Sequence, residues 1–280
     1  MKLLRFGDTG NEHPGVLDDQ GNIRDLTEVV DDIGGDVLGP SGLSSLREVD
    51  LASLPLIDEN IRLGACVAQA GKFICIGMNY LDHAAEQGLT ISEEPTIFMK
   101  ATSAICGPND DTEIPRKSKK TDWEVELGVV IGTEAKYVDE DEALNHVAGY
   151  CVINDLSERE FQLEREGQWV KGKSCDTFGP IGPYLVTADE IPDPQKLDLW
   201  LDVNGHRYQN SNTRQMAFNV KYLVSYISQF MSLQPGDIIS TGTPGGVGIF
   251  LPEPKFLVPG DVMELGIEGL GIQRQRVVAG

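Results

Sequence analysis

The densest chemistry lies in the segment Lys120-Thr-Asp-Trp-Glu-Val-Glu-Leu-Gly-Val-Val-Ile-Gly. Alternate side chains of a strand share a face, so Asp122, Glu124 and Glu126 project one way and Trp123, Val125 and Leu127 the other. The acidic face runs on into Gly128 and Val130, which marks it as the end of a buried face. There, unpaired carboxylates are costly and a cation is the usual remedy. An exposed acidic strand would show the same alternation. A further oxygen ligand is offered by Asp155, which follows an apolar run and precedes an expected helix start at Ser157; a cap or turn role is its alternative. Were Glu124, Glu126 and Asp155 to converge, three carboxylates without cysteine or histidine would select Mg²⁺, Mn²⁺ or Ca²⁺ over zinc. Such an ion keeps positions open for water or substrate.

The run Gly77-Met-Asn-Tyr-Leu-Asp-His-Ala-Ala-Glu-Gln-Gly reads as a strand end and a short helix, with Asp82 as its cap and Gly88 as its terminator. His83 and Glu86 then stand one turn apart. A carboxylate at that spacing orients an imidazole and stabilises its charge, as a general base acting on water requires. A one-turn amphipathic surface helix is the plainer reading. Lys171 and Lys173, in Trp-Val-Lys-Gly-Lys-Ser-Cys, either face a developing oxyanion or end a strand in solvent. The glycine-rich Ser240-Thr-Gly-Thr-Pro-Gly-Gly-Val-Gly lacks the Gly-Lys-Ser/Thr ending of a phosphate loop, so nucleotide binding is not supported. Its amides and the Thr243 hydroxyl remain available to a carboxylate. His13, His146 and His206 are expected at exposed positions, in the N-terminal unit, an acidic helix and a turn.

These side chains need a β-rich frame. β-Branched runs punctuated by glycine and proline recur as KFICIG, PTIFMK, EVELGVVIG, VAGYCVIND, GPYLVT, LDLWLDVNG, GDIISTGTP and GDVMELGIEG. Helical periods are short: DEDEALNHV, SEREFQLERE and FNVKYLVSYISQFM. No regular βαβ alternation appears, so an α+β fold rich in strands is expected and a doubly wound sheet is not. Residues 1–68 read as a separate small α+β unit with a hairpin around Asp18–Asn22, and residues 69–280 as the larger β-rich domain that carries the candidate chemistry. Of 280 residues, 23 are Lys or Arg and 44 Asp or Glu, and the net charge of −21 repels phosphate backbones and anionic membranes. No nucleic acid or membrane partner is expected. The five cysteines are odd in number and form no C-x-x-C pair, and no apolar run approaches a bilayer span, so a cytoplasmic protein with reduced thiols is expected.

Taken in order, GMNYLDHAAE, PTIFMKATSAICGP, DWEVELGVVIG, AGYCVINDLSERE, KGKSCDTFGPIGP, VNGHRYQNSNT and STGTPGGVG resemble the fumarylacetoacetate hydrolase family over about residues 70–275. The resemblance implies a mixed β-sandwich roll around a metal site, a variable N-terminal part and a homodimer. By position it makes Glu124, Glu126 and Asp155 ligands of Mg²⁺ or Mn²⁺, His83 and Glu86 a water-activating pair on a mobile lid, and Lys173 the nearby cation. It puts Arg159, Gln209 and Thr243 at substrate oxygens. Two positions depart from the pattern: Gly179, where cysteine is common, and Ser211, where glycine is common. The implied reaction is hydrolysis of the C–C bond of a 2,4-diketo acid, an acylpyruvate or a 2,4-diketo-3-deoxy sugar acid, to pyruvate and a carboxylic acid. Hydratases, isomerases, oxaloacetate decarboxylases and a ureidoglycolate lyase share the chemistry and stand as alternatives. A non-catalytic metal- or carbohydrate-binding β protein is the distant one.

Overall fold

The computed structural model describes all 280 residues. The N-terminal segment forms β1 (Lys2–Asp8), β2 (Asn11–Leu17), β3 (Ile23–Asp25) and helix α1 (Pro40–Arg47). Next come β4 (Phe73–Gly77), helix α2 (Leu81–Glu86), β5 (Thr96–Lys100), β6 (Ile105–Cys106), β7 (Thr112–Ile114) and β8 (Thr121–Asp122). The central strands are β9 (Val125–Ile131) and β10 (Val147–Asn154), followed by β11 (Ser157–Glu158), helix α3 (Val170–Lys173) and β12 (Gly179–Thr187). The chain ends with β13 (Asp198–Val203), β14 (His206–Asn212), helix α4 (Val220–Ser228), β15 (Ile238–Ser240), β16 (Val262–Ile267) and β17 (Gly271–Ala279). Each of the eight β-branched runs named above became a strand, whereas LIDENIRLGA, also strand-like in sequence, makes only isolated bridges at Leu56 and Leu63.

A mixed ten-stranded sheet runs β3-β2-β1-β12-β10-β9-β15-β4-β5, with β6 beside β12. A second sheet runs β14-β13-β16-β17-β7. Their facing sides share one core: Val125, Leu127, Val129 and Ile131 of β9 meet Leu199, Leu201, Met263 and Leu265, and α4 adds Leu223, Val224 and Ile227. The opposite face of β9 carries Glu126, Gly128 and Val130, and Val130 joins a second core with Phe73, Cys151, Ile153 and Ile238. The period-2 reading of this strand therefore holds, and both its faces are buried. No helix is long and apolar enough to cross a membrane.

Other local expectations needed correcting. The first 68 residues do not have a large core of their own: β1 pairs with β12, and Leu3, Val16, Leu38, Leu43 and Leu46 pack into the cluster that holds Val130 and Ile153. Ser157 opens no helix; it pairs with Asp122 in the β8–β11 ladder, and its hydroxyl donates back to the Asp155 carbonyl at 3.0 Å. The expected helix there shrinks to one π-helical turn over Glu160–Glu164, and DEDEALNHV to a 3₁₀ turn over Ala143–His146. His206 begins β14 instead of lying in a turn, and half-buried His146 pairs with the Thr133 hydroxyl at 3.0 Å. Asp82 lies inside α2, whose cap position is Tyr80.

Strand register positions the acidic residues. Ile153 lies opposite Glu126, and the Asp155 amide donates to the Glu124 carbonyl at 2.8 Å, which carries Asp155 to the level of both glutamates. Gly128 makes this packing possible, because a Cβ there would sit 2.6 Å from Cys151 Sγ and 2.7 Å from Ile153 Cδ1. Gly128→Ala is expected to lower unfolding free energy by about 1–3 kcal/mol, the usual range for overpacking a core. Urea denaturation checks this, and an unchanged midpoint would contradict the packing described.

Candidate active site

Ligand atoms of Glu124, Glu126 and Asp155 lie within 4.8 Å of one another, and all three residues are buried. Cations answer two of them. Lys173 Nζ donates to Glu124 Oε2 and Asp155 Oδ2, both at 2.7 Å, and Arg159 Nη2 donates to Glu124 Oε1 at 2.7 Å. Burial pushes the Glu124 carboxyl up, but Lys173 and Arg159 outweigh it and hold the group at about 2. The Lys173 ammonium is disfavoured by burial and held charged by Asp155 and Glu124, so its pKa is raised. Glu126 goes the other way: burial, then repulsion from Asp155 and Glu124, pushes its carboxyl well up, against donors from Ser240 Oγ at 2.6 Å and the Gly242 amide at 2.8 Å.

Lys100, for which sequence reasoning found no role, is the third buried cation. From the end of β5 its Nζ donates to the Leu156 and Lys173 carbonyls at 2.9 and 2.6 Å. It also lies 2.5 Å from Asp155 Oδ1. That contact is ionic and lacks hydrogen-bond geometry, so Asp155 Oδ1 has no directional donor. Its only signal in the sequence is a single charge closing the apolar run Ile97-Phe98-Met99.

Asp122 leaves the expected acidic set. It accepts from Arg159 Nε at 2.8 Å and from the Gly248 and Ile249 amides at 2.7 and 3.0 Å, which makes it the anchor of Arg159. The glycine-rich loop thus does bind carboxylates, and they are the protein's own: Gly242 holds Glu126, Gly248 holds Asp122, and the Gly246 amide reaches Glu86 at 3.1 Å. Gly246 has φ +100°, and a Cβ there would fall 1.9 Å from the Tyr208 carbonyl oxygen.

His83 and Glu86 are paired on α2, with Nδ1 3.3 Å from Glu86 Oε2. A carboxylate only accepts, so this contact puts the proton on Nδ1 and the lone pair on Nε2. The imidazole is buried, with its ring 5.6 Å from that of Phe250. Ser211, a departure from the family pattern, donates to Asp82 Oδ2 at 2.5 Å and so fastens α2 to β14.

One cavity of about 250 Å³ is lined by several of these groups. Glu124, Glu126, Arg159, Lys173, Thr243 and His83 line it, with Met78, Phe98, Trp169 and Phe250 among its apolar walls. Gln209 does not. It is fully buried, accepts from the Val125 amide at 2.9 Å, and donates to Thr243 Oγ1 and the Pro244 carbonyl at 2.8 and 2.9 Å, so its amide braces the loop instead of meeting a substrate. Thr243 donates to the Val125 carbonyl at 3.0 Å. Gln162, unremarked in the sequence, lines the cavity: its carbonyl accepts from Arg159 Nη1 at 3.0 Å, and its amide nitrogen has no protein partner. Its i, i+3 spacing from Arg159 was the available signal. Lys171 is exposed and plays no part in the cluster.

The fumarylacetoacetate (FAA) hydrolase C-terminal family model matches residues 72–278. The chain belongs to the fumarylacetoacetate hydrolase family. A relative from Burkholderia orbicola (strain MC0-3), provisionally named a hydrolase, is 62% identical over 277 residues, covering 99% of this chain and 98% of its own. Among solved structures, fumarylacetoacetate hydrolase from psychrophilic Exiguobacterium antarcticum is 35% identical with a TM-score of 0.88, covering 100% of both chains. Maleylpyruvate hydrolase from Sphingobium sp. SYK-6, in complex with manganese(II) and pyruvate, is 29% identical with a TM-score of 0.82, again over 100% of both chains. A 5-carboxymethyl-2-hydroxymuconate delta-isomerase from Mycobacterium smegmatis is 30% identical with a TM-score of 0.78, covering 100% of this chain and 99% of its own.

In this family member, Lys100 gives a direct test of the charge arrangement. Lys100→Met is expected to cost about 3 kcal/mol of stability, the lower end for breaking a buried pair because Lys173 still faces Asp155. Denaturant unfolding measures it, and a cost below about 1 kcal/mol would show that the pair is dispensable.

Proposed function

We propose that the protein is a Mg²⁺- or Mn²⁺-dependent hydrolase that cleaves the C–C bond of a 2,4-diketo acid to pyruvate and a carboxylic acid. The observation that carries this reading is that His83, with Glu86 paired to its Nδ1, lines one cavity with Glu124 and Glu126 of the carboxylate cluster. Fit to a divalent ion is supported by two features of the cluster: its all-oxygen donor set and the raised Glu126 carboxyl, which a nearby dication would relieve. Glu124, Glu126 and Asp155 would hold the ion. When bound, it supplies Lewis-acid polarisation of a 2-oxo acid.

The chain's own residues account for the remaining work. His83 Nε2 takes a proton from water as the water oxygen bonds to C4, and Glu86 steadies the resulting imidazolium through Nδ1. The C3–C4 bond then breaks, its electron pair passes into pyruvate enolate, and protonation at C3 completes pyruvate. Lys173 and Arg159 supply positive charge beside that developing anion, in a site where burial strengthens their effect. The likeness to a maleylpyruvate hydrolase holding manganese and pyruvate supports the reading. A homodimer and a cytoplasmic location form part of the proposal, and the dimer is open to sizing by light scattering.

Pyruvate release from a panel of acylpyruvates and 2,4-diketo-3-deoxy sugar acids, coupled to lactate dehydrogenase, tests the reaction. His83→Ala is expected to lower kcat by about 10²-fold or more while the metal still binds, since positioned acid–base catalysis contributes about 10²–10⁴-fold. Pyruvate from oxaloacetate alone, or near-normal turnover by His83→Ala, would refute the assignment.

Glu126→Gln removes the one acidic ligand without a cationic partner. Its Mn²⁺ affinity is expected to fall by more than the ~10–100-fold typical of losing an outer-shell group, with the fold retained. Calorimetric titration measures this, and unchanged affinity would move the metal elsewhere.

A further inference from the structure

The mechanism leaves one contact unexplained. The His83 Nε2 lone pair, which must accept the proton of the attacking water, is occupied: Gln87 Nε2 lies 2.9 Å from it. With the His83 proton on Nδ1, the amide is the donor and the imidazole the acceptor. One lone pair accepts one hydrogen bond, so water cannot reach the base while Gln87 holds it. The second amide hydrogen points at Met78 Sδ, 3.4 Å away, and a thioether is a weak acceptor. The Gln87 carbonyl has no protein partner.

Both donors of this amide therefore rest on acceptors that it can exchange at little cost or at a gain. Gln87 also sits among the apolar walls of the cavity, beside Met78, Leu89, Ile249 and Phe250, while the charged groups belong to the carboxylate cluster. A ligand oxygen brought to this wall meets Gln87 as its polar partner. Drawing the amide onto that oxygen frees Nε2, with one hydrogen bond exchanged for another. A substrate lacking the oxygen must break the Gln87–His83 bond without replacement.

We infer that Gln87 is a specificity-determining residue that couples release of the His83 base to an oxygen acceptor on the substrate's acyl group beyond C4. The inference rests on the proposed hydrolysis. It makes the preferred substrate a 2,4-diketo acid with a hydroxyl or carbonyl on the acyl side, in place of a plain alkanoylpyruvate.

The test is a matched pair, 2,4-dioxohexanoate and 5-hydroxy-2,4-dioxohexanoate, given to the Mn²⁺-loaded wild type and to Gln87→Met, which keeps the side-chain length and removes both donors. Wild type is expected to favour the hydroxylated compound in kcat/KM by about 2–10-fold, the ratio that one net hydrogen bond supports. In Gln87→Met the ratio is expected to fall to about one, with the plain substrate gaining and the hydroxylated one losing. Equal use of both by wild type, or a preference that survives in Gln87→Met, would overturn the inference. ¹⁵N NMR of the imidazole gives a readout independent of turnover: the Nε2 resonance is expected to move in Gln87→Met, and in wild type with the hydroxylated compound but not the plain one. If neither compound yields pyruvate, the proposed reaction fails. An Nε2 resonance unmoved by Gln87→Met would then separately remove the contact on which the Gln87 role depends.

Discussion

Three carboxylates buried within 4.8 Å of one another are the constraint to which the rest of this molecule answers. Each ion taken from water costs several kcal/mol unless charge and hydrogen bonds compensate it. Lys173 from α3, Arg159 from beyond β11 and Lys100 from the end of β5 converge on the cluster from three separate parts of the chain. The edge of the large sheet, the β8–β11 ladder and the one-turn α3 are held together by that convergence. The compensation is uneven. Glu124 is held ionised by two cations, whereas Glu126 receives only a hydroxyl and an amide and is pushed towards its neutral form. The fold thus leaves one carboxyl of the cluster without a cationic partner.

The second organising device is the loop after β15. Its backbone amides, aimed by glycines, hold Glu126, Asp122 and Glu86, so one stretch of main chain sets a carboxylate of the buried cluster, the anchor of Arg159 and the partner of His83. At Gly246 the positive φ and the 1.9 Å approach to Tyr208 leave no room for any side chain. A glycine-rich loop of this kind needs no phosphate to account for its composition. Gln209 and the Thr243 hydroxyl brace the same loop against β9, so residues expected to meet substrate became part of what holds the carboxylates still.

Much of this was legible because it is local. Strand period 2 placed Glu124 and Glu126 on one face, the three-residue spacing placed Glu86 beside His83, and blocks of β-branched residues marked the central strands of the large sheet and β13 and β16 of the second. Legibility failed where polar residues are buried. β17 presents no apolar run, because its inward positions include Gln273 and Gln275, which donate to main-chain carbonyls. The N-terminal segment looked separate because its composition and turns are local properties. Its incorporation into the large sheet depends on β1 pairing with β12, more than 180 residues along the chain.

The sequence by itself determined which groups were available: the acidic strand, the histidine–glutamate pair, the lysines and the absence of a thiolate ligand set. Only the tertiary structure decided among them. It assigned Asp122 to Arg159 and Asp155 to the cluster, brought Lys100 in, turned Gln209 away and set Gln87 on His83. The physical reason is that periodicity fixes the face on which a side chain lies. Its partner is chosen by strand register and by compensation of buried charge, which are properties of residues distant in sequence.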